Sequence, residues 1–351
     1  MVHPDLSPRR TSALPPGTDP RRNRELTPGE TLTGAQVGPL LDALSNLRAN
    51  PLAYAAEQHP DHEFLPLTTV IRTWEQQGVD CAAWHTGYAD LTTRYGDLGL
   101  TQFLPPDRFL VAVSSTRQQA FGGFHHPNQG YRHLQMVALV TAYGDMNAEP
   151  SELAVLDLLR GYAHDCLHYG SARRYQWRDG EVVRTQYGIN YRSAEGRSYS
   201  ARDKEGAEST RNLGVVMEGA CDREARSITR AAADTHAITE PAGLDRYAYR
   251  DVTGSLTEGD VAALAAGVPG EGPEHTLYLS SMGRYQATVN GRYGRFLDRI
   301  GGPEASGLHS TILAAMISGD MRGLCAWLDG RFGPGAFAAL FMTPSYLALA
   351  S

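Results

Sequence analysis

Two histidines, His164 and His168, stand four residues apart in the segment "LLRGYAHDCLHYG". The apolar residues that precede them recur at helical spacing, and a helix places residues i and i+4 on one face, one turn apart. Two imidazoles in this arrangement can bind the same metal ion. The segment therefore predicts a helix over residues 151–169 that carries a pair of metal ligands.

A carboxylate that could complete this set lies further along the chain. Glu218 falls in a second predicted helix, residues 210–232, and Asp222 follows one turn later on the same face. The neighbours of Glu218 are mostly apolar, so its carboxylate needs a partner once the helix is buried. A metal is one such partner, and Arg223 or Arg226 is another. A catalytic zinc site needs three protein ligands and an open position, which His164, His168 and Glu218 would provide.

The two motifs together resemble those of the gluzincin metallopeptidases. In that family an HExxH helix supplies two histidines, and a later helix supplies a glutamate ligand and an acidic residue that orients one histidine. The resemblance implies one zinc ion, bound by His164, His168 and Glu218. It makes Asp222 the residue that orients a ligand histidine, and a peptide or protein the substrate. Asp165 stands where the family has glutamate, so it would be the general base, with its carboxylate one methylene further back.

The resemblance covers roughly residues 108–345 and implies an α+β, zincin-like fold with a mainly helical C-terminal part. The segment "YQATVNGRYGRFLDRIGG" and the helices that follow it look like the closing helices of bacterial zincins. Tyr285 begins this segment and is the candidate to donate a hydrogen bond to a developing oxyanion.

Composition and periodicity, together with what the resemblance implies, divide the chain into four regions. The first has six prolines in its first 33 residues and little apolar periodicity, which is typical of disorder. Within the third region, residues 108–114 read as a buried strand, and turn dipeptides between residues 175 and 200 indicate short hairpin strands. The regions are a disordered arm (1–34), an N-terminal helical region (35–107), a zincin-like metal-binding core (108–235) and a helical C-terminal subdomain (236–351).

A second metal-hydrolase interpretation uses some of the same residues. The segment from residue 133 to 170 also resembles the HD phosphohydrolases, whose metal ligands would here be His133, His164, Asp165 and Asp222. His168 would then act on a phosphate ester. The two interpretations differ in structure. The zincin interpretation expects a strand over residues 133–143 and no metal contact by Asp165, whereas the HD interpretation expects a helix and direct ligation.

Two further interpretations stay open. The aspartate at the position of the catalytic base is compatible with a zincin that has lost activity and serves as a binding or scaffold protein. The same two histidines and one carboxylate could also hold iron for oxygen chemistry.

The composition excludes several classes of function. The net charge of -7 argues against a nucleic-acid binder, and no run of about 18 apolar residues predicts a membrane span. The first residues lack the apolar stretch of a classical signal peptide, and the four cysteines form no CxxC pair. A cytoplasmic location, or export without a classical signal, is therefore expected.

Overall fold

Helices make up most of the chain that the computed structural model describes, and two small four-stranded sheets accompany them. The described residues are 31–33, 64–101, 103–114, 123–125, 138–143, 152–178, 181–193, 197–268 and 273–344. Most of the predicted arm and the first part of the N-terminal helical region therefore lie outside them. None of the described helices has the length and apolar character needed to cross a bilayer.

The helices are α1 (Leu67–Gln76), α2 (Ala82–Asp97), α3 (Glu152–Gly170), α4 (Leu213–Thr235), α5 (Asp245–Thr253), α6 (Glu258–Ala266), α7 (Pro273–Tyr285), α8 (Gly291–Phe296), α9 (Ala305–Ser318), α10 (Arg322–Phe332) and α11 (Ala336–Phe341). Two π-helical turns, Gln286–Asn290 and Leu297–Gly301, flank α8. The strands are β1 (Thr31–Thr33), β2 (Leu65–Pro66), β3 (Phe109–Ser114), β4 (Gly123–His125), β5 (Ala138–Tyr143), β6 (Arg173–Arg178), β7 (Glu181–Tyr187) and β8 (Asn190–Tyr191).

The strands form two separate sheets. The first sheet has the order β1-β6-β7-β8 and is antiparallel throughout. The second has the order β2-β3-β5-β4, in which β3 and β5 are parallel and the outer pairs are antiparallel. The predicted strand over residues 108–114 and the predicted hairpin after residue 175 are confirmed. Strand β1 lies within the predicted arm, so three of that arm's residues are ordered by backbone pairing with β6.

Helix α3 lies at the centre of the molecule, packed against α2, α4, α5 and β5. Its apolar residues face several directions because neighbours cover it on several sides. The ring of Tyr162 on α3 lies 5.7 Å from that of Trp84 on α2 and 5.5 Å from that of Phe109 on β3. These contacts fix the axis of the helix that carries both candidate histidine ligands.

Helix α4 begins at the predicted cap, where the Asn212 side chain accepts a hydrogen bond from the backbone N–H of Gly214 over 2.8 Å. Close packing against α8 depends on Gly219, because a Cβ at that position would lie 2.4 Å from the Cβ of Tyr293. Because Gly219 follows Glu218, this contact fixes how closely α4 approaches α8 beside the Glu218 side chain. Both predicted ligand helices are thus confirmed, with α4 extending to Thr235.

Most of the buried apolar side chains between Leu67 and Met342 form one hydrophobic cluster. Members of it come from three of the regions expected from sequence, namely 35–107, 108–235 and 236–351. Among the described residues these regions therefore share a core. The α2 helix in particular packs on both ligand helices, which makes the N-terminal helical region part of the support for the candidate site.

Candidate metal centre

His164, His168 and Glu218 come together where α3 packs against α4. The two imidazole rings are 4.6 Å apart between centroids, as expected for residues one turn apart on a helix. Oε2 of Glu218 lies 3.4 Å from Nε2 of His164 and 3.3 Å from Nε2 of His168. One ligand atom from each residue lies within 4.8 Å of the other two, so the three side chains could hold a metal ion. The predicted ligand set is therefore brought together.

The other nitrogen of each imidazole faces a hydrogen-bond acceptor. Nδ1 of His164 donates to Oδ1 of Asp222 over 3.0 Å, since a carboxylate can only accept. Nδ1 of His168 lies 2.6 Å from the hydroxyl of Tyr187, which itself donates to the backbone carbonyl of His168 over 3.3 Å. With Nδ1 as the donor in each pair, Nε2 is the ring nitrogen that faces Glu218 and the one that can bind a metal in place of a proton. This is the tautomer that a metal on Nε2 requires.

Asp222 is fully buried and is held by cations as well as by His164. Arg226, one turn later on α4, places Nη2 3.4 Å from its Oδ2, and Arg160 on α3 places Nη1 3.6 Å from its Oδ1. Burial favours the neutral acid, but Arg226, His164 and Arg160 outweigh it and hold the pKa of Asp222 well below its usual range. The carboxylate therefore stays ionised as the acceptor behind His164.

Arg173, just beyond the end of α3, supports the second histidine. Its guanidinium donates to the backbone carbonyls of His168 and Tyr169, which are among the last acceptors of the helix. It also lies 5.2 Å from the centre of the Tyr187 ring. One buried cation thus holds both the end of the ligand helix and the tyrosine that contacts His168.

The cluster favours a positive charge at its centre. Burial by itself lowers the pKa of His164, but hydrogen bonds to Asp222 and Glu218 outweigh it and raise the pKa to about 10. Burial by itself raises the pKa of Glu218. The two imidazoles outweigh this effect and hold the pKa of the carboxylate well below its usual range. A cation bound between these groups would take the place of the second proton on His164. The donor set therefore fits a divalent metal.

The site is accessible from the side of Glu218. The Glu218 side chain is 42% exposed, whereas those of His164 and His168 are 9% and 7% exposed. A metal on these three ligands would thus be covered most by the two histidines and least on the side of Glu218. That asymmetry is typical of a catalytic site rather than of a closed structural one.

Asp165 and Tyr285 lie near the cluster but outside the three-residue ligand set. Asp165 is buried and follows His164 on α3; it lies close enough to Cys221 to contribute to the raised pKa of that thiol. Tyr285 ends α7, where burial and the charges of Asp222 and Glu218 raise the pKa of its phenol well above 10. The phenol is therefore a proton donor within electrostatic range of the cluster.

No family model matches the chain. Neither the curated proteins nor the solved structures provide a match. The resemblance to gluzincins therefore remains a prediction, and it depends on the residues of α3 and α4.

Three supporting residues were not predicted from the sequence, namely Arg160, Arg173 and Tyr187. Arg160 could have been found from the sequence, because it lies one helical turn before His164 and therefore on the same face of α3. Tyr187 could not, because its contact with His168 depends on the tertiary packing of β7. The sequence left open whether Arg223 or Arg226 pairs with a carboxylate of its own helix, and Arg226 does pair with Asp222. His133 lies outside the described residues.

Proposed function

We propose that the protein is a zinc-dependent metallohydrolase that cleaves peptide bonds. The observation that carries the proposal is the convergence of Nε2 of His164, Nε2 of His168 and Oε2 of Glu218, with Asp222 hydrogen-bonded behind His164. Two histidines and one carboxylate with an exposed side form the ligand set of a catalytic zinc site. The carboxylate behind a ligand histidine is the usual support of such a site.

The residues around the cluster have distinct roles in the proposed reaction. Zinc, when bound, supplies Lewis acidity and lowers the pKa of a ligated water. Asp165 accepts the proton of the attacking water, since it is the carboxylate adjacent to His164 that does not belong to the ligand set. Tyr285 donates a hydrogen bond to the oxygen on which negative charge develops. Asp222 and Tyr187 keep the ligand rings in one tautomer and one orientation.

Two observations favour this ligand set over the HD phosphohydrolase set. Residues 138–143 form strand β5, whereas the HD interpretation expects a helix there. Asp222 lies on the Nδ1 side of His164 and is paired with Arg226, so it faces away from the nitrogen that points to Glu218. Glu218, which the HD interpretation leaves without a role, lies between both histidines.

The position of β4 supports a peptide as the substrate. In the described part of the chain β4 pairs with β5 alone, at the edge of its sheet, and β5 also packs against α3. An edge strand offers backbone N–H and C=O groups to which an extended peptide can add as a further strand.

Metal analysis and peptide hydrolysis test the proposal together. We expect about one zinc per chain in the purified wild type, and loss of both zinc and peptide cleavage in Glu218→Ala. Glu152→Gln, which changes an exposed glutamate of α3, is the matched control and should retain both. Metal that survives Glu218→Ala but is lost in His133→Ala and Asp165→Ala would instead establish the HD ligand set.

Other results would reject the proposal in favour of the remaining interpretations. Iron in place of zinc would point to oxygen chemistry at the same ligands. Stoichiometric zinc in a wild type that cleaves no member of a broad peptide library would point to a binding or scaffold protein.

A further inference from the structure

An open cleft of about 400 Å³ borders the face of α4 that carries Arg223, Arg226 and Arg230. Its opposite wall consists of the π-helical turn Gln286–Asn290 and Tyr293 of α8. The volume is in the range of small-molecule sites. The cleft lies beyond Glu218 along α4, so a ligand there would not displace the proposed metal.

The lining of this cleft is strongly cationic. Its described residues include the three arginines and no carboxylate. The charge of Arg226 is compensated by two carboxylates that do not line the cleft, because its Nη2 lies 2.6 Å from Asp251 and 3.4 Å from Asp222. Arg226 also donates to the amide oxygen of Gln286 over 3.2 Å, which ties α4 to the opposite wall.

The other two arginines have no carboxylate partner within the described chain. Arg230 donates to the backbone carbonyls of Thr253 over 2.8 Å and Gly254 over 3.4 Å, and these contacts leave its charge uncompensated. Arg223 is exposed and forms no ion pair or hydrogen bond with the residues described. The two lie seven residues apart, about 10 Å along the helix axis, so their long side chains can approach one ligand from either end of the cleft.

We infer that this cleft binds a small molecule that carries a phosphate group. A phosphate monoester has a charge of about −1.5 to −2 at neutral pH, which matches the two uncompensated guanidinium groups. Arginine is suited to this task because its planar fork of N–H donors fits two phosphate oxygens. Ser227 and Asn290 also line the cleft and add a hydroxyl and an amide to its polar surface.

Calorimetric titration with inorganic phosphate and glycerol 3-phosphate tests the site, at constant ionic strength so that screening does not vary. We expect saturable binding to the wild type and a loss of affinity of about tenfold or more in Arg223→Gln. Arg72→Gln, at an exposed arginine of α1 remote from the cleft in sequence and element, is the matched control and should bind as the wild type does. Equal phosphate affinity in the wild type and Arg223→Gln would overturn the inference.

Further variants distinguish a phosphate site from a general attraction of anions to this face. Arg230→Gln should also weaken binding at a temperature where the variant remains folded, since it removes contacts to Thr253 and Gly254, and phosphate affinity equal to that of the wild type would count against the site. Arg223→Lys retains the charge without the fork and should lose part of the affinity. Glu218→Ala should bind phosphate normally, since the site does not depend on the proposed metal chemistry. Succinate that binds as tightly as glycerol 3-phosphate would reject a phosphate ligand in favour of a dicarboxylate.

Discussion

Asp222 accepts a hydrogen bond from Nδ1 of His164 over 3.0 Å, and this contact joins the two helices of the candidate metal centre. Asp222 lies one turn after Glu218, so α4 supplies both a ligand and the acceptor that orients a ligand from α3. Arg226 and Arg160 complete its surroundings. The Asp222 carboxylate thus contacts a candidate metal ligand, links α4 to α3 and pairs with two arginine side chains.

Asp222→Asn should lower zinc affinity by about 10- to 100-fold, the usual effect of losing a residue behind a ligand histidine. Asparagine can present an N–H to His164 instead of accepting one, and it leaves the nearby guanidinium groups without their countercharge. Competition with a chelator measures the change. Asp157→Asn is the control, because Asp157 pairs with the same Arg160 on α3 and lies outside the ligand set. Similar zinc affinities in the two variants would argue against an orienting role for Asp222.

Tyr187→Phe should weaken zinc binding by about tenfold with little loss of fold stability. The ring remains under Arg173, but the hydroxyl that lies 2.6 Å from Nδ1 of His168 is lost. Tyr162→Phe provides the comparison, since that hydroxyl donates to the backbone of Leu104 and removal should cost about 1 kcal/mol of stability without changing zinc affinity. An equal effect of the two substitutions on zinc binding would contradict the assignment.

The parts of the site that follow helical periodicity were predictable from the sequence. His164 and His168 share a face because they are four residues apart, and so do Glu218 and Asp222. The packing of α3 on α4 then places the two pairs together, as the resemblance implied. Tyr187 could not be predicted, because its contact depends on a β-strand whose distance from His168 is set by tertiary packing.

In the fold as well, features set by local sequence were predictable and features set by long-range contacts were not. Apolar periodicity predicted α3, α4 and β3, since it reports which face each element buries. The predicted helical region 35–107 includes α2, but its bounds were not predicted because the apolar pattern there is irregular. The pairing of β1 with β6, which joins residues far apart in the chain, was not predicted either. Backbone pairing of that kind leaves no signal in residues that are mostly polar.

Gly219→Ala should destabilise the fold by about 1–3 kcal/mol and also weaken zinc binding. The new Cβ would lie 2.4 Å from the Cβ of Tyr293, which forces α4 away from α8 next to Glu218. Gly307→Ala on α9 is the control, because nothing lies within 4 Å of a Cβ there. It should be stabilising by about 0.5–1 kcal/mol. Denaturant unfolding measures the stability and chelator competition measures the zinc affinity. An unchanged zinc affinity in Gly219→Ala would show that the contact with Tyr293 does not position Glu218.

Glu224 should contribute stability that is lost in acid. It accepts hydrogen bonds from Arg94 at 3.0 Å and from Nε2 of His309 at 2.9 Å. Burial raises the pKa of Glu224, but His309 and Arg94 outweigh it and lower the pKa to about 2. Because the folded pKa lies below the unfolded value, the contribution is complete above about pH 5 and declines as the pH falls towards 2.

The difference in unfolding free energy between wild type and Glu224→Gln should therefore shrink by about 2 kcal/mol from pH 6 to pH 3. Urea unfolding at several pH values measures it. Glu258→Gln, at an exposed position in the first turn of α6, is the control for the replacement of a glutamate by glutamine outside this buried network. A difference for Glu224→Gln that is constant over the same range would show that its ion pairs do not govern acid stability.

Asp165 is the residue on which the proposed chemistry depends most directly. Asp165→Asn keeps the size of the side chain but cannot accept a proton, so we expect about 10²- to 10⁴-fold slower peptide cleavage with zinc content unchanged. Asp165→Glu restores the carboxylate with a longer reach and should retain activity. Steady-state kinetics and metal analysis of the three proteins measure both effects. Cleavage by Asp165→Asn at the wild-type rate would exclude Asp165 as the base, and activity that appears only in Asp165→Glu would identify the natural protein as a zincin that has lost catalysis.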